Sequence, residues 1–288
     1  MPQPQKTYLI TGTSSGFGLA LVHALLARGE RVVATARKLS SISHLEETNP
    51  NVRTLELDVT SSQEEIDRVV GEAVGCFGGG IDVLVNNAAY LQGGPLEICG
   101  PEKFLEVYNT NVVGTVKVTR AIMPHFRAKR SGVVVFMGSI AGWSGEVGAA
   151  AYCASKFALE GIYESFAKEA ALFNITSLII NPGYFRTQLF SPTNVRIELQ
   201  DTPDNAYAPV LEQMSAFAKA IDGNQPGDPA KAAERIVDVL RGEGVAEGKK
   251  MPKRLILGGD TVEIVRGKCE ETLKEVAEWE EVSLGTGF

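Results

Sequence analysis

The sequence has no run approaching the ~18 apolar residues that a membrane-spanning helix needs. Its polar start leads at Thr7 straight into Tyr8-Leu9-Ile10, too short an apolar stretch for a signal-peptide core. Secretion is therefore not expected, and a cytoplasmic location is. Positive charge is not in excess: 28 Lys and Arg stand against 35 Asp and Glu, a formal net charge of −7. Nucleic-acid binders are ordinarily basic, so that class is disfavoured. Cysteine is scarce. The four, at positions 76, 99, 153 and 269, form no CxxC pair and no metal-ligand spacing. Reduced thiols and no metal site follow as expectations. Internal repeats, low-complexity tracts and linker-like stretches are also missing, so one folding unit over residues 1–288 is expected.

Glycine, by contrast, is abundant. Its 30 copies make up roughly a tenth of the chain, against an average near 7%. The apolar pattern around them alternates in type. Short apolar runs at 8–11, 31–35, 52–57, 81–85, 133–137 and 176–180 read as strands. Between them, 16–28, 62–74, 103–126 and 152–172 carry helical spacing. That alternation predicts an α/β fold: a doubly wound parallel sheet of the Rossmann type, about seven strands, with helices on both faces. The rhythm breaks over 185–227, where Pro192, Pro203, Pro209 and Pro226 suggest an insertion of loop or short helix. A helix over 228–240 capped by Asp228, a last strand over 254–257 and a helical extension over 261–288 complete the reading. In that extension Val262, Val265, Cys269, Leu273 and Val276 form one stripe, opposite an acidic face.

The first strand runs into Thr11-Gly12-Thr13-Ser14-Ser15-Gly16-Phe17-Gly18, which opens the first helix. A pyrophosphate sits at a helix N-terminus only where the backbone turns tightly and approaches closely. Glycines at 12, 16 and 18 permit this, and the Thr and Ser hydroxyls are available as donors. The spacing is GxxxGxG, neither GxGxxG nor a P-loop. At the end of the second strand a carboxylate would favour a free ribose 2′-hydroxyl. Here stand Ala36, Arg37 and Lys38 instead. Arg37 suits a 2′-phosphate, through charge-assisted forked hydrogen bonds, which favours NADP(H) over NAD(H).

Tyr152 and Lys156 lie four residues apart at the start of a helix and so share a face. A tyrosine proton leaves near pH 10, and a nearby ammonium lowers that value. Bringing it to near 7 takes about 4 kcal/mol, which a lysine and a positive nicotinamide together would supply. Ser139 follows the fifth strand and Asn87 the fourth, both at the carboxyl edge where open sheets bind ligands. Asn111 falls inside the long helical pattern, where an amide is a poor helix former that would hold a water or interrupt the backbone bonding.

Together these positions resemble the short-chain dehydrogenase/reductase family, in its compact single-domain branch. The resemblance rests on Thr11-Gly12-xxx-Gly16-x-Gly18, Asp58, Asn86-Asn87-Ala88, Asn111, Ser139, Tyr152, Lys156 and Pro182-Gly183. It implies Tyr152 as general acid in reduction and general base in oxidation, with Ser139 on the substrate oxygen. Lys156 would bind the nicotinamide ribose and depress the tyrosine pKa; Asn111 would support a water in a proton relay. Asp58, with Val59 beside it, would contact the adenine, and Asn87 and Ala88 the adenosine side. The Phe185 backbone and Thr187 hydroxyl, in the loop after Pro182-Gly183, would hold the carboxamide. Two positions depart from the pattern: Ala89 replaces a usual glycine, and Phe185 a usual small branched residue.

The loops at 90–98, 141–151 and 184–227 offer Tyr90, Leu91, Trp143, Tyr184, Phe190, Tyr207 and Met214 to a substrate. As a group they suggest an apolar or aromatic carbonyl compound or alcohol, while Arg186 and Arg196 leave an acidic one open. The leading expectation is an NADP(H)-dependent carbonyl reductase or alcohol dehydrogenase. A cofactor-binding sensor or scaffold without turnover, and a cyclase, isomerase or dehydratase on the same fold, are the alternatives. By resemblance, the helices at 103–126 and 152–172 would pair copies into a homodimer or homotetramer.

Overall fold

The structure, a computed structural model, describes residues 4–190, 195–198 and 202–288. Among the described residues nine strands form, in chain order β1 (Thr7–Thr11), β2 (Arg31–Ala36), β3 (Val52–Glu56), β4 (Val83–Asn86), β5 (Leu91–Gly93), β6 (Gly132–Met137), β7 (Ile175–Pro182), β8 (Val195–Ile197) and β9 (Arg254–Leu257). Seven of them make one sheet in the order β3-β2-β1-β4-β6-β7-β9, every neighbouring pair parallel. Parallel strands covered on both faces need continuous apolar sequence. In β1 all five residues are buried, and in β4 all four.

The helices are α1 (Gly16–Ala27), α2 (His44–Thr48), α3 (Gln63–Gly75), α4 (Pro101–Tyr108), α5 (Thr115–Lys129), α6 (Ala150–Ala171), α7 (Ala208–Ile221), α8 (Pro229–Arg241), α9 (Gly259–Glu278) and α10 (Glu280–Leu284). On one face, Leu21 and Leu25 of α1 and Ile236 and Leu240 of α8 pack on Ile10, Val32 and Val85. On the other, Ile66, Ile122, Phe126, Leu159 and Tyr163 cover Leu9, Leu84 and Phe136. Strand order reverses between β1 and β4, which opens a crevice at their carboxyl ends.

Several elements differ from the sequence reading, α2 and β5 among them. The helix expected over 103–126 is three pieces: α4, a π-helical turn over Asn109–Gly114, and α5. Asn111 is buried in that turn, where its amide bonds elsewhere than the helix ladder. The stretch 185–227 holds the 14-residue helix α7 and the strand β8, which pairs with β5. Pro209 sits in the first turn of α7, where its missing N–H costs no helical bond. Pro192 lies outside the described residues. Among the described residues no helix is long and apolar enough to cross a membrane.

Helix α8 depends on its cap: Asp228 accepts from the amides of Ala230 and Lys231 at 2.9 and 3.3 Å, and Gly242 ends the helix at φ +65°. Asp228→Ala is expected to cost about 1 kcal/mol. Urea unfolding should show a lower midpoint with an unchanged slope.

Candidate active site

The turn after β1 is fastened to the neighbouring strand. The Thr11 hydroxyl accepts from the amides of Asn87 and Ala88 at 2.9 and 3.0 Å. The Asn87 side-chain amide donates to the carbonyls of Thr11 and Gly12, each at 2.9 Å. Gly12 has φ +71°, and a Cβ there would lie 2.9 Å from Ala88 Cα. A Cβ at Gly18 would collide with the Gly12 carbonyl oxygen. Ser15, extended at the N-cap of α1, makes no side-chain capping bond. The first-turn amides of α1 thus have no cap to satisfy them, as at an anion site.

A cavity of about 210 Å³ spreads from this turn along the sheet edge. Gly12, Ser14, Ser15, Gly16 and Phe17 form one wall; Arg37, Val59, Asn87 and Ala88 form the next. Ser139, Tyr152, Lys156, Pro182, Gly183, Phe185 and Thr187 close its other end. Arg37 is exposed and, among the described residues, has no ion-pair partner. A second cavity of about 240 Å³ lies beneath α7, lined by Leu91, Tyr184, Val195, Ile197, Met214 and Phe217 among others. Glu146 at its rim is the one ionisable carboxylate among its described lining. Ser139 and Tyr152 line both cavities.

Four of the expected catalytic and cofactor-binding residues do not line either cavity. Thr13 is fully buried, and its amide and hydroxyl both donate to the Thr35 carbonyl, at 2.9 and 3.1 Å. Gly18 packs under Gly12 instead of facing the space. One oxygen of the Asp58 carboxylate accepts from the amide and hydroxyl of Thr60, at 2.8 and 2.7 Å, while its neighbours Leu57 and Val59 line the cavity. Asn111 donates to the Tyr90 carbonyl and the Ser155 hydroxyl at 3.0 and 3.1 Å, and accepts from the Tyr90 amide at 3.1 Å. Of the loop residues, Trp143 lies beside the Arg254 guanidinium and Tyr207 bonds Glu97 at the surface. Tyr90 lines the first cavity with the Arg196 guanidinium 4.3 Å from its ring centre. The side chain of Phe190 lies outside the described residues.

Two buried residues that sequence reading missed hold the reacting end in place. The Ser155 hydroxyl donates to the Tyr152 carbonyl at 2.7 Å and so joins Asn111 to the tyrosine's own helix turn. Asn181 donates to Glu160 at 2.6 Å and to the Ser139 carbonyl at 3.3 Å. A polar residue directly after the apolar run Leu178-Ile179-Ile180 was the available signal.

Burial dominates the electrostatics of the pair. Burial pushes the Tyr152 hydroxyl up to about 12, although the Ser139 hydroxyl bonded to it pulls the other way. Burial brings the Lys156 ammonium down to about 8. Lys156 Nζ donates to the Met137 carbonyl at 2.8 Å and sits 5.7 Å from the tyrosine ring centre. The lysine alone does not bring the tyrosine toward neutrality, because both groups are withdrawn from water and the ammonium is spent on a backbone oxygen.

The short chain dehydrogenase family model matches residues 6–197. The chain belongs to that family. It is 32% identical over 287 residues to Oxidoreductase BOA17 of Botryotinia fuckeliana (strain B05.10), covering 98% of this chain and 99% of that one. It is 37% identical over 256 residues to Retinol dehydrogenase 8 of Bos taurus, covering 84% and 80%. A solved short-chain dehydrogenase from Streptomyces avermitilis superposes with a TM-score of 0.86 at 38% identity, over 99% of this chain and all of that one.

Phe185 is held in a tight aromatic contact in this short-chain dehydrogenase. Its ring meets Phe17 edge-on, centroids 5.1 Å apart, and lies over Gly227, where a Cβ would collide with it. The Arg186 amide donates to the Gly227 carbonyl at 2.8 Å, so the glycine cannot retreat cheaply. Gly227→Ala is therefore expected to destabilise by about 1–3 kcal/mol through overpacking. Phe185→Val/Gly227→Ala should recover most of that loss. Urea unfolding of the two single variants and the double variant measures the coupling.

Proposed function

We propose that this oxidoreductase is NADP(H)-dependent and interconverts a carbonyl and a secondary alcohol on an apolar or aromatic small molecule. One observation carries the reading. Ser139 and Tyr152 are the polar side chains that line both the turn-side cavity and the apolar cavity under α7. A compound in the second cavity would present its oxygen to those hydroxyls beside whatever occupies the first.

The first cavity fits a nicotinamide dinucleotide. Its glycines leave no room for a Cβ at 12, and the uncapped start of α1 faces it. Ser14–Phe17 would take the pyrophosphate. Arg37, exposed and without an ion-pair partner among the described residues, would take a 2′-phosphate by a forked, charge-assisted contact. Lys156 and Thr187 would take the nicotinamide end. The bound cofactor supplies or accepts the hydride. Ser139 holds the substrate oxygen, and Tyr152 gives it a proton in reduction or removes one in oxidation. Burial keeps that proton on Tyr152 at neutral pH, which suits reduction. The apolar lining supports the substrate class, as does kinship with a protein named for retinol.

Absorbance at 340 nm tests the reading, with NADPH or NADH against a panel of ketones, aldehydes and quinones. Substrate-dependent loss of NADPH should fall at least 100-fold in Tyr152→Phe, while NADPH binding stays within a few-fold. Arg37→Asp should lower the NADPH-over-NADH preference at least tenfold. Absence of turnover with intact NADPH binding would overturn the redox reading. The two directions should also separate with pH. Reduction uses protonated Tyr152 and charged Lys156, so it should hold steady to about pH 8 and fall above, where Lys156 loses its proton. Alcohol oxidation needs deprotonated Tyr152 and should rise with pH from neutrality.

A further inference from the structure

Helix α9 leaves the body of the protein after its first turns. Thr261 is buried and Ile264 and Val265 are half-buried, but every residue from Arg266 to Phe288 is exposed. Leu273, Val276, Trp279, Val282 and Leu284 are between 59% and 75% exposed. A helix of this length reaches about 30 Å, and one standing alone in water is marginal. Large apolar side chains on such a helix mark a surface meant to be covered.

The pattern along the helix says what covers it. Val262, Val265, Cys269, Thr272, Val276 and Trp279 follow one another at alternating spacings of three and four, the seam of a two-helix coil. Residues 259–288 carry eight carboxylate side chains and three cationic ones, which is wrong for an anionic lipid surface. The charges are also unevenly placed. Arg266 and Lys268 flank the seam in its first half, and Glu275 and Glu280 in its second. A parallel partner of the same sequence would set like charge against like. An antiparallel copy sets each half against its opposite. The existing contact of Lys268, with Glu271 at 3.8 Å and both exposed, is worth little and does not compete.

We propose that α9 is an interaction surface for a second copy of this chain, the two helices packed antiparallel along the seam. Val276 then lies against Val265 of the other copy, and Lys268 near its Glu275. The two-fold axis passes between Cys269 and Thr272, which brings the two Cys269 thiols within about 10 Å. This surface is separate from the helices at 103–126 and 152–172 that the family resemblance suggests for pairing. It also stands independently of the redox reading.

Light scattering coupled to size exclusion measures the mass of the intact chain at micromolar concentration. The expected result is an even assembly whose mass halves in Val276→Asp/Trp279→Asp. Far-UV circular dichroism checks that this variant still folds. Lys268→Glu and Glu275→Lys should each raise the half-dissociation concentration about tenfold, and the two together should restore it. A short bis-maleimide should join Cys269 to Cys269 in the intact chain and not in Cys269→Ser. A monomeric intact chain, or an assembly whose mass the seam variant leaves unchanged, overturns the proposal. So does a monomer that sediments with phosphatidylcholine vesicles, which would assign the stripe to lipid.

Discussion

The Asn87 amide holds the strand ends at the switch point together. It donates to the carbonyls of Thr11 and Gly12 while its backbone amide bonds the Thr11 hydroxyl. Through those bonds the carboxyl ends of β1 and β4 become one edge, and the glycine turn is held against β4 with no gap for a Cβ at Gly12. Everything placed around that turn inherits its position: the uncapped start of α1, Arg37 at the end of β2, and the cavity between them. The amide is half-buried at the head of two strands, and its loss would leave the Thr11 and Gly12 carbonyls without this donor.

A second constraint acts at the other end of the cavity. Tyr152 and Lys156 are both nearly inaccessible, at 6% and 3% exposure. Water would solvate a phenolate and an ammonium; the protein interior does not, and both equilibria move toward the neutral form. The fold tolerates this because neighbours fix the pair. Asn111 and Ser155 brace the helix turn that carries Tyr152, and Asn181 holds the Ser139 backbone opposite. The π-helical turn at Asn109–Gly114 is part of the same device, since it brings the buried Asn111 amide to Tyr90 and Ser155.

Much of this was readable in the sequence, for physical reasons. Buried parallel strands must be continuously apolar, so the strands of the large sheet stood out. Glycines at 12, 16 and 18 are needed where the backbone turns and approaches closely. Tyr152 and Lys156 share a face because of helix geometry. The rest depended on pairings that sequence spacing does not carry. Thr13 spends its amide and hydroxyl on the Thr35 carbonyl, and Asp58 one carboxylate oxygen on Thr60, pairings that residue type alone does not announce. Strand β8 exists through pairing with β5, about a hundred residues earlier. A ring at 185 could be judged crowded or harmless only once Gly227 was seen beneath it. Burial, which opposes the lysine's effect on the tyrosine, is invisible in an i, i+4 pattern.

The account turns on Tyr152 being held neutral by burial until a positive charge arrives beside it. Carbon-13 NMR of ring-labelled tyrosine, with Tyr152→Phe to assign the signal, reads that ionisation directly. The protein alone should show Tyr152 titrating at about 12. With NADP+ bound the midpoint should fall by several pH units. A midpoint that does not move on binding NADP+ would contradict the account.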